Sequence, residues 1–203
     1  MNLIDISRDV LKTPVYPGDP ETFTTEVKSI KNGDHCNLSD LYTGLHTATH
    51  IDAPLHFIDG GDTVDKLDLG IFIGECVVVE APPGPVTGAY ADEYFSNLNT
   101  ERLLIKGGGR AYLIESSAYF MSDAGIKLIG TDAASVGIHE NNIVVHRALL
   151  ERGTVILEGL DLEGVKPGRY FLMAQPLKLS GTEASLCRAV LVENHIFWSG
   201  ERL

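Results

Sequence analysis

Residues 46–56 read HTATHIDAPLH, which gathers His46, His50, Asp52 and His56 into one short stretch. Imidazole nitrogen and carboxylate oxygen are the usual ligands of divalent metals in hydrolases, whose catalytic sites keep one position open for water. Ile51, Ala53, Pro54, Leu55 and Phe57 interleave apolar side chains with these polar ones, a pattern that predicts a partly buried site rather than a solvated turn. His50 and Asp52 are two apart and face the same way in an extended segment. His46 and His50 are four apart and share a face if the stretch opens with a helical turn. Both geometries permit chelation. Pro54 forbids a continuous helix and pushes Ala53 toward extended backbone, so His56 lies beyond a bend and is free for a different role.

Composition limits what surrounds this stretch. A chain of 203 residues is long enough for one domain with a proper core, and residues 1–203 are read as one unit because no repeat, low-complexity tract or linker divides them. With 28 acidic against 16 basic side chains the net charge is −12, which disfavours nucleic acid and anionic membrane surfaces as partners. Asp5 interrupts any secretory apolar stretch, and no apolar run approaches the ~20 residues of a membrane span, so the expected location is the cytoplasm. Cys36, Cys76 and Cys187 form no CxxC pair; neither a disulfide framework nor a thiolate zinc site is suggested, and all three are expected as buried small hydrophobes.

Short β-branched and apolar runs recur at LIDI near the start and at 75–81, 102–106, 126–130, 154–158, 170–179 and 187–193, so strands dominate. One helix is predicted to begin near Asn141 or Asn142 and stop at Gly153, and a second to run from Ser116 or Ser117 to Gly125. The fold class predicted is α/β, a single domain with a central curved, barrel-like β-sheet flanked by a few helices. His146 falls in the later helix and Glu158 closes the strand that follows it, so the two side chains could meet; spacing alone does not bring them to the histidine cluster. GGGR at 107–110 lacks the lysine and Ser/Thr of a phosphate loop and reads as a flexible turn. HENNI at 139–143 is not HExxH, and no GxSxG occurs. His35 and His139 read as exposed loop residues, and Asp132 and Ser135 as loop-shaping hydrogen-bond formers near the site.

The chain resembles the metal-dependent cyclase-like hydrolases typified by the bacterial kynurenine formamidases, or arylformamidases. That family's motif is HxGTHxDxPxH, which HTATHIDAPLH matches except that Ala48 stands where glycine is usual. The likeness continues through PVYPGDP, NLSDLYTG, DGGDTVDKLDL, GTDAASV, HRALLERGTVILEGLDL and QPLKLSGTEASLCRAVL. It implies that His46, His50 and Asp52 bind a first divalent metal, that Asp52 reaches a second, that His146 is a ligand of the second, and that Glu158 bridges or caps the pair. Zinc is the first expectation and manganese the second, with one or two ions per subunit. His56 matches the family's proton-transfer histidine and is expected near its ordinary pKa of about 6.5. Tyr16 matches a pocket-lining position that is characteristically tryptophan in the formamidases.

The implied reaction is hydrolysis of an aryl formamide of the N-formyl-kynurenine type by a metal-activated hydroxide. The alternatives are a related hydrolase opening a cyclic amide such as isatin or acting on another small acyl substrate, and a non-catalytic metal-binding protein. The partners implied are a small aromatic amide and further copies of the chain in a homodimer or higher homo-oligomer.

Overall fold

Strands buried on both faces must be apolar throughout, and their side chains alternate between two cores. In the computed structural model, described over residues 2–138 and 140–193, the central strands do this. They are β7 (Arg102–Lys106), β9 (Leu128–Thr131) and β10 (Val155–Glu158). Leu104, Leu128, Val155 and Leu157 enter one core with Ile6, Ile51 and Phe72. Leu103, Ile105, Ile129 and Ile156 enter the other. Three helices cover that second face: α1 (Gly88–Phe95), α2 (Glu115–Asp123) and α3 (Asn142–Leu150). Ala91, Phe95, Ala118, Met121, Val145 and Leu149 are their buried contributions.

The remaining strands are β1 (Asn2–Asp5), β2 (Phe23–Lys28), β3 (Leu38–Tyr42), β4 (His50–Asp52), β5 (Ile73–Glu80), β6 (Gly84–Val86), β8 (Ala111–Leu113), β11 (Gly168–Met173), β12 (Ala184–Leu186) and β13 (Val190–Glu193). Nine strands form one curled half-barrel sheet in the order β1-β13-β11-β5-β7-β9-β10-β4-β12. β5, β7, β9 and β10 run parallel, and β4 then pairs antiparallel with both β10 and β12. The short strand carrying the histidine motif is therefore an inner strand of the sheet. β2 and β3 form a separate antiparallel hairpin whose strand residues are all exposed.

The expected mixed α/β domain with a curved sheet is what the chain folds into. The later helix runs Asn142–Leu150 and the chain leaves it through Gly153 at φ +78°, a left-handed stop suited to glycine. The run at 170–179 is shorter as a strand than its composition predicts, because β11 ends at Met173. α1, capped by the Thr87 hydroxyl accepting from the Tyr90 N–H at 3.1 Å, and the β2–β3 hairpin carry weak apolar periodicity and escape a reading by pattern. Cys76 is buried, but Cys36 is exposed on the hairpin turn and Cys187 is half-buried, so the expectation of three buried cysteines holds for one. His35 is exposed, as expected, while His139 lies outside the described residues.

GGGR is not a loose turn. The N–H groups of Gly107, Gly108 and Gly109 all donate to the Asp132 carboxylate at 2.8–3.1 Å, closing the loop after β7 onto the loop after β9. Asp132 shapes the loop as expected, with a backbone nest as its partner.

Candidate metal centre

Cross-strand partners point to the same side of a sheet. Register pairs His50 with Glu158 and Asp52 with Ile156, so His50, Asp52 and Glu158 emerge on the helix-covered face, and α3 lays His146 over them. His46 sits in the turn just before β4. Thr49 ties the two ligand-bearing segments together: its hydroxyl donates to the Gly159 carbonyl at 2.7 Å and accepts from the Arg8 N–H at 2.8 Å. The turn requires a left-handed residue, and Ala48 occupies it at φ +56°, where the family motif has glycine. Ala53 is extended at φ −92°, ψ 162°, as the following proline demands, and Pro54 opens a short 3-10 turn that delivers His56.

These side chains converge. His46 Nδ1 lies 2.9 Å from Asp52 Oδ1, and His50 Nε2 lies 3.5 Å from both Asp52 Oδ1 and Glu158 Oε2. His146 Nε2 lies 3.5 Å from Asp52 Oδ2 and 3.2 Å from Glu158 Oε1. His56 stacks on His46 with ring centroids 4.1 Å apart. Ligand atoms of His50, Asp52 and Glu158 lie within 4.8 Å of one another, as do those of His46, Asp52 and His56. All five residues expected as metal ligands thus meet at one place, His56 stands beside them, and Tyr16 lines the same cavity.

The donor chemistry fits a divalent cation. His50 Nε2 and both Asp52 oxygens are buried and have no aligned hydrogen-bond partner, a cost the fold would not carry without a further occupant. The groups around them are held for ligation. His50 Nδ1 is 3.1 Å from the Ala48 carbonyl and His146 Nδ1 is 2.8 Å from that of Asn142; a carbonyl only accepts, so both rings carry a proton on Nδ1, and Nε2 is the nitrogen turned toward the carboxylates and the one a cation would displace a proton from. Glu158 Oε1 accepts from the Val136 N–H at 2.7 Å and the Ser135 hydroxyl at 3.0 Å, which fixes the carboxylate plane.

Proton affinities follow from this crowding. Burial lowers the pKa of His50, but the Asp52 and Glu158 charges outweigh it and push it up to about 9. The same contest, with hydrogen bonds to Asp52 and Glu158, takes His146 up to about 10. Burial and the Asp52 charge both raise Glu158; His146 and His50 outweigh them and bring it down to about 2. Asp52, which burial alone would raise, is held well below the carboxylate range by His50, His146 and His46. His56 goes the other way. Burial drives it down to about 4, so it is neutral where an ordinary histidine would be titrating, a departure from the expected value near 6.5.

The cavity over the cluster, of about 200 Å³, is lined by Tyr16, Asp19, Phe57, Ser135, Asn142 and the histidines. Clefts of about 630 and 700 Å³ lie around Arg102 and Arg8, but the guanidinium groups of these two residues are engaged by backbone carbonyls, Arg188 in the second cleft pairs with Asp5, and among the described residues neither cleft gathers a metal-ligand cluster. Sequence reasoning missed Asp19, Asn142 and Glu183, whose Oε1 is 3.4 Å from His46 Nε2. Asp19 and Asn142 sit within or near segments already singled out. Nothing local marks Glu183.

The model of the Cyclase family matches residues 4–137. The chain belongs to the Cyclase family. A kynurenine formamidase from Salinibacter ruber is 38% identical over 208 residues, covering 94% of this chain and 97% of that protein. Among solved structures, a predicted metal-dependent hydrolase from Bacillus stearothermophilus superposes with a TM-score of 0.79 at 28% identity, covering 94% of this chain and 97% of the other. Isatin hydrolase A from Labrenzia aggregata shares the fold, with a TM-score of 0.79 at 19% identity over 94% and 93% of the two chains.

Proposed function

We propose that this chain is a metal-dependent amidohydrolase of the kynurenine formamidase type, acting on an aryl formamide in the cytoplasm. The observation that carries the reading is the buried convergence of His46, His50, Asp52, His146 and Glu158, with orphaned ligand atoms at its centre, in a chain 38% identical to a kynurenine formamidase. The five residues would hold one or two divalent ions, zinc first and manganese second. When bound, the metal supplies an activated water and a Lewis acid for the scissile carbonyl.

The chain's own residues do the rest. The Ala48 and Asn142 carbonyls orient His50 and His146, and the Val136 N–H orients Glu158. His56, neutral and beside His46, takes the proton of the attacking water on its free ring nitrogen and returns it to the leaving aryl amine, which departs as a neutral molecule. Phe57 and Tyr16 present aromatic faces to a flat substrate. A non-catalytic metal store would have no use for a neutral, cavity-facing imidazole next to the ligands.

The test is elemental analysis together with turnover of N-formyl-kynurenine against isatin. Bound zinc or manganese with faster turnover of N-formyl-kynurenine supports the reading. Preference for isatin would assign the chain to cyclic amides instead, and His50→Ala with full metal content would sink the centre itself. Tyr16, smaller than the family's tryptophan, should set the substrate preference. Tyr16→Ala should raise KM without changing metal content, and Tyr16→Trp should improve turnover of N-formyl-kynurenine.

The same reading includes a homodimer or higher oligomer. The β2–β3 hairpin projects Phe23 stacked on Tyr42, each about half exposed, together with Val27, Leu38 and Leu41. An apolar arm of this kind is what a second subunit would cover. Light scattering at micromolar concentration should give at least twice the 22.0 kDa of one chain.

A further inference from the structure

Three histidines approach Asp52, and they do not approach it alike. His50 and His146 both bind a carbonyl through Nδ1 and turn Nε2 inward. His46 is reversed: Nδ1 is the nitrogen 2.9 Å from Asp52 Oδ1, and Nε2 points away toward Glu183 Oε1 at 3.4 Å. The nitrogen that meets the shared carboxylate has to be the unprotonated one if it is to bind a cation, so His46 carries its proton on Nε2. The group facing that proton is a carboxylate and not a carbonyl.

Glu183 is placed there by the sheet. The Ala53 N–H donates to the Glu183 carbonyl at 2.8 Å, and the next residue, Ala184, pairs with Asp52. Its side chain is 39% exposed against 24% for His46, so its charge remains hydrated and costs little to keep. A separation of 3.4 Å is an ion-pair contact a few tenths of an ångström beyond hydrogen-bond length, which a small adjustment of the half-exposed Glu183 side chain would close. A carboxylate accepting the outer N–H of a ligating imidazole fixes its tautomer and raises its basicity.

We propose that Glu183 is a positioning residue that holds His46 in the Nε2-protonated tautomer and strengthens Nδ1 as a metal ligand. It touches neither metal nor substrate. The proposal rests on His46 being a ligand.

The test titrates the metal-free protein with Zn²⁺ against a competing chelator, for wild type, His46→Ala, Glu183→Gln and Glu183→Ala. Loss of such an outer partner typically weakens metal affinity by ~10 to 100-fold. Glu183→Ala should fall in that range, and Glu183→Gln, which keeps an acceptor, should lose only a few-fold. In zinc-loaded protein labelled with ¹⁵N-histidine, His46 should show its proton on Nε2 while His50 and His146 show theirs on Nδ1. If His46→Ala weakens zinc binding and Glu183→Ala does not, the proposal fails and the metal reading stands. Equal losses in the Gln and Ala variants would mean that only through-space charge matters, and positioning is rejected. If His46→Ala itself binds zinc as tightly as wild type, both readings fall.

Discussion

A Cβ added to Gly159 would lie 2.0 Å from the carbonyl oxygen of Ala48. The residue after Glu158 and the residue two before His50 are thus in backbone contact, and Gly159 takes φ +67° to allow it. Gly159→Ala should therefore force β10 and the turn before β4 apart. Overpacking of this kind costs typically ~1 to 3 kcal/mol and left-handed backbone about 1 to 2 more. Urea denaturation should show a loss of about 2 to 5 kcal/mol, accompanied by weaker metal binding; a stable protein with normal affinity would mean that the contact does not position the proposed ligands.

Ala48 carries the complementary strain. Left-handed alanine costs about 1 to 2 kcal/mol, close to the sum of what glycine loses by giving up one buried methyl and gaining chain entropy when unfolded. Ala48→Gly should change stability by no more than about 1 kcal/mol in either direction. Ala53→Gly, at a fully buried extended position, has no strain to relieve and should lose about 1 to 2 kcal/mol. Equal losses at the two positions would contradict the left-handed turn.

Metal uptake should release protons. With His50 at about 9 and His146 at about 10, the metal-free protein holds both charged at neutral pH, while a ligand must be unprotonated. Calorimetry in buffers of different protonation enthalpy should find roughly two protons displaced in total as the centre fills at pH 7, one from each histidine. The folded-state pKa values of both histidines are raised, so their contribution to metal-free stability is complete below 6.5 and is lost as pH rises through about 9 to 10. Glu158 is depressed to about 2, so its contribution is present above 4.5 and is lost as pH falls through about 2. Thermal melts of the chelated protein should therefore be highest between those limits, and added metal should extend the plateau upward. Affinity that does not change between pH 6 and 9 would contradict this.

His56→Ala should keep its metal and lose ~10² to 10⁴-fold in kcat, the usual contribution of a general acid/base. Because burial holds His56 down to about 4, the acid limb assigned to it in the wild type should not fall near 6.5. Metal content is the decisive control: a variant that loses the ion would make His56 a ligand.

How much of this was legible in the chain depends on distance along it. The doubly buried runs at 102–106 and 154–158 announce themselves by composition, and Pro54 alone places His56 beyond a bend. Glu158 reaches the site through the β10–β4 register and His146 through the packing of α3 over those strands, neither of which composition encodes; a family resemblance supplied them. Glu183 was invisible for the same reason, since only the pairing of β12 with β4 brings it to His46. The positive φ at Ala48 was hidden because alanine there departs from the glycine that would have marked it.

The strand β4 is three residues long and is held between β10 and β12, and Thr49 bonds across to Gly159 over 110 positions of chain. Contacts that close such long loops form late in folding, after local turns and helices. During synthesis the motif at residues 46–56 emerges well before Glu158, and β12 later still. The nascent chain therefore carries its histidines for much of its elongation without the geometry to grip an ion. On the proposed reading, metal selection is deferred to the finished sheet, where the spacing of the five proposed ligands, rather than whichever cation first meets an exposed histidine, decides what is kept.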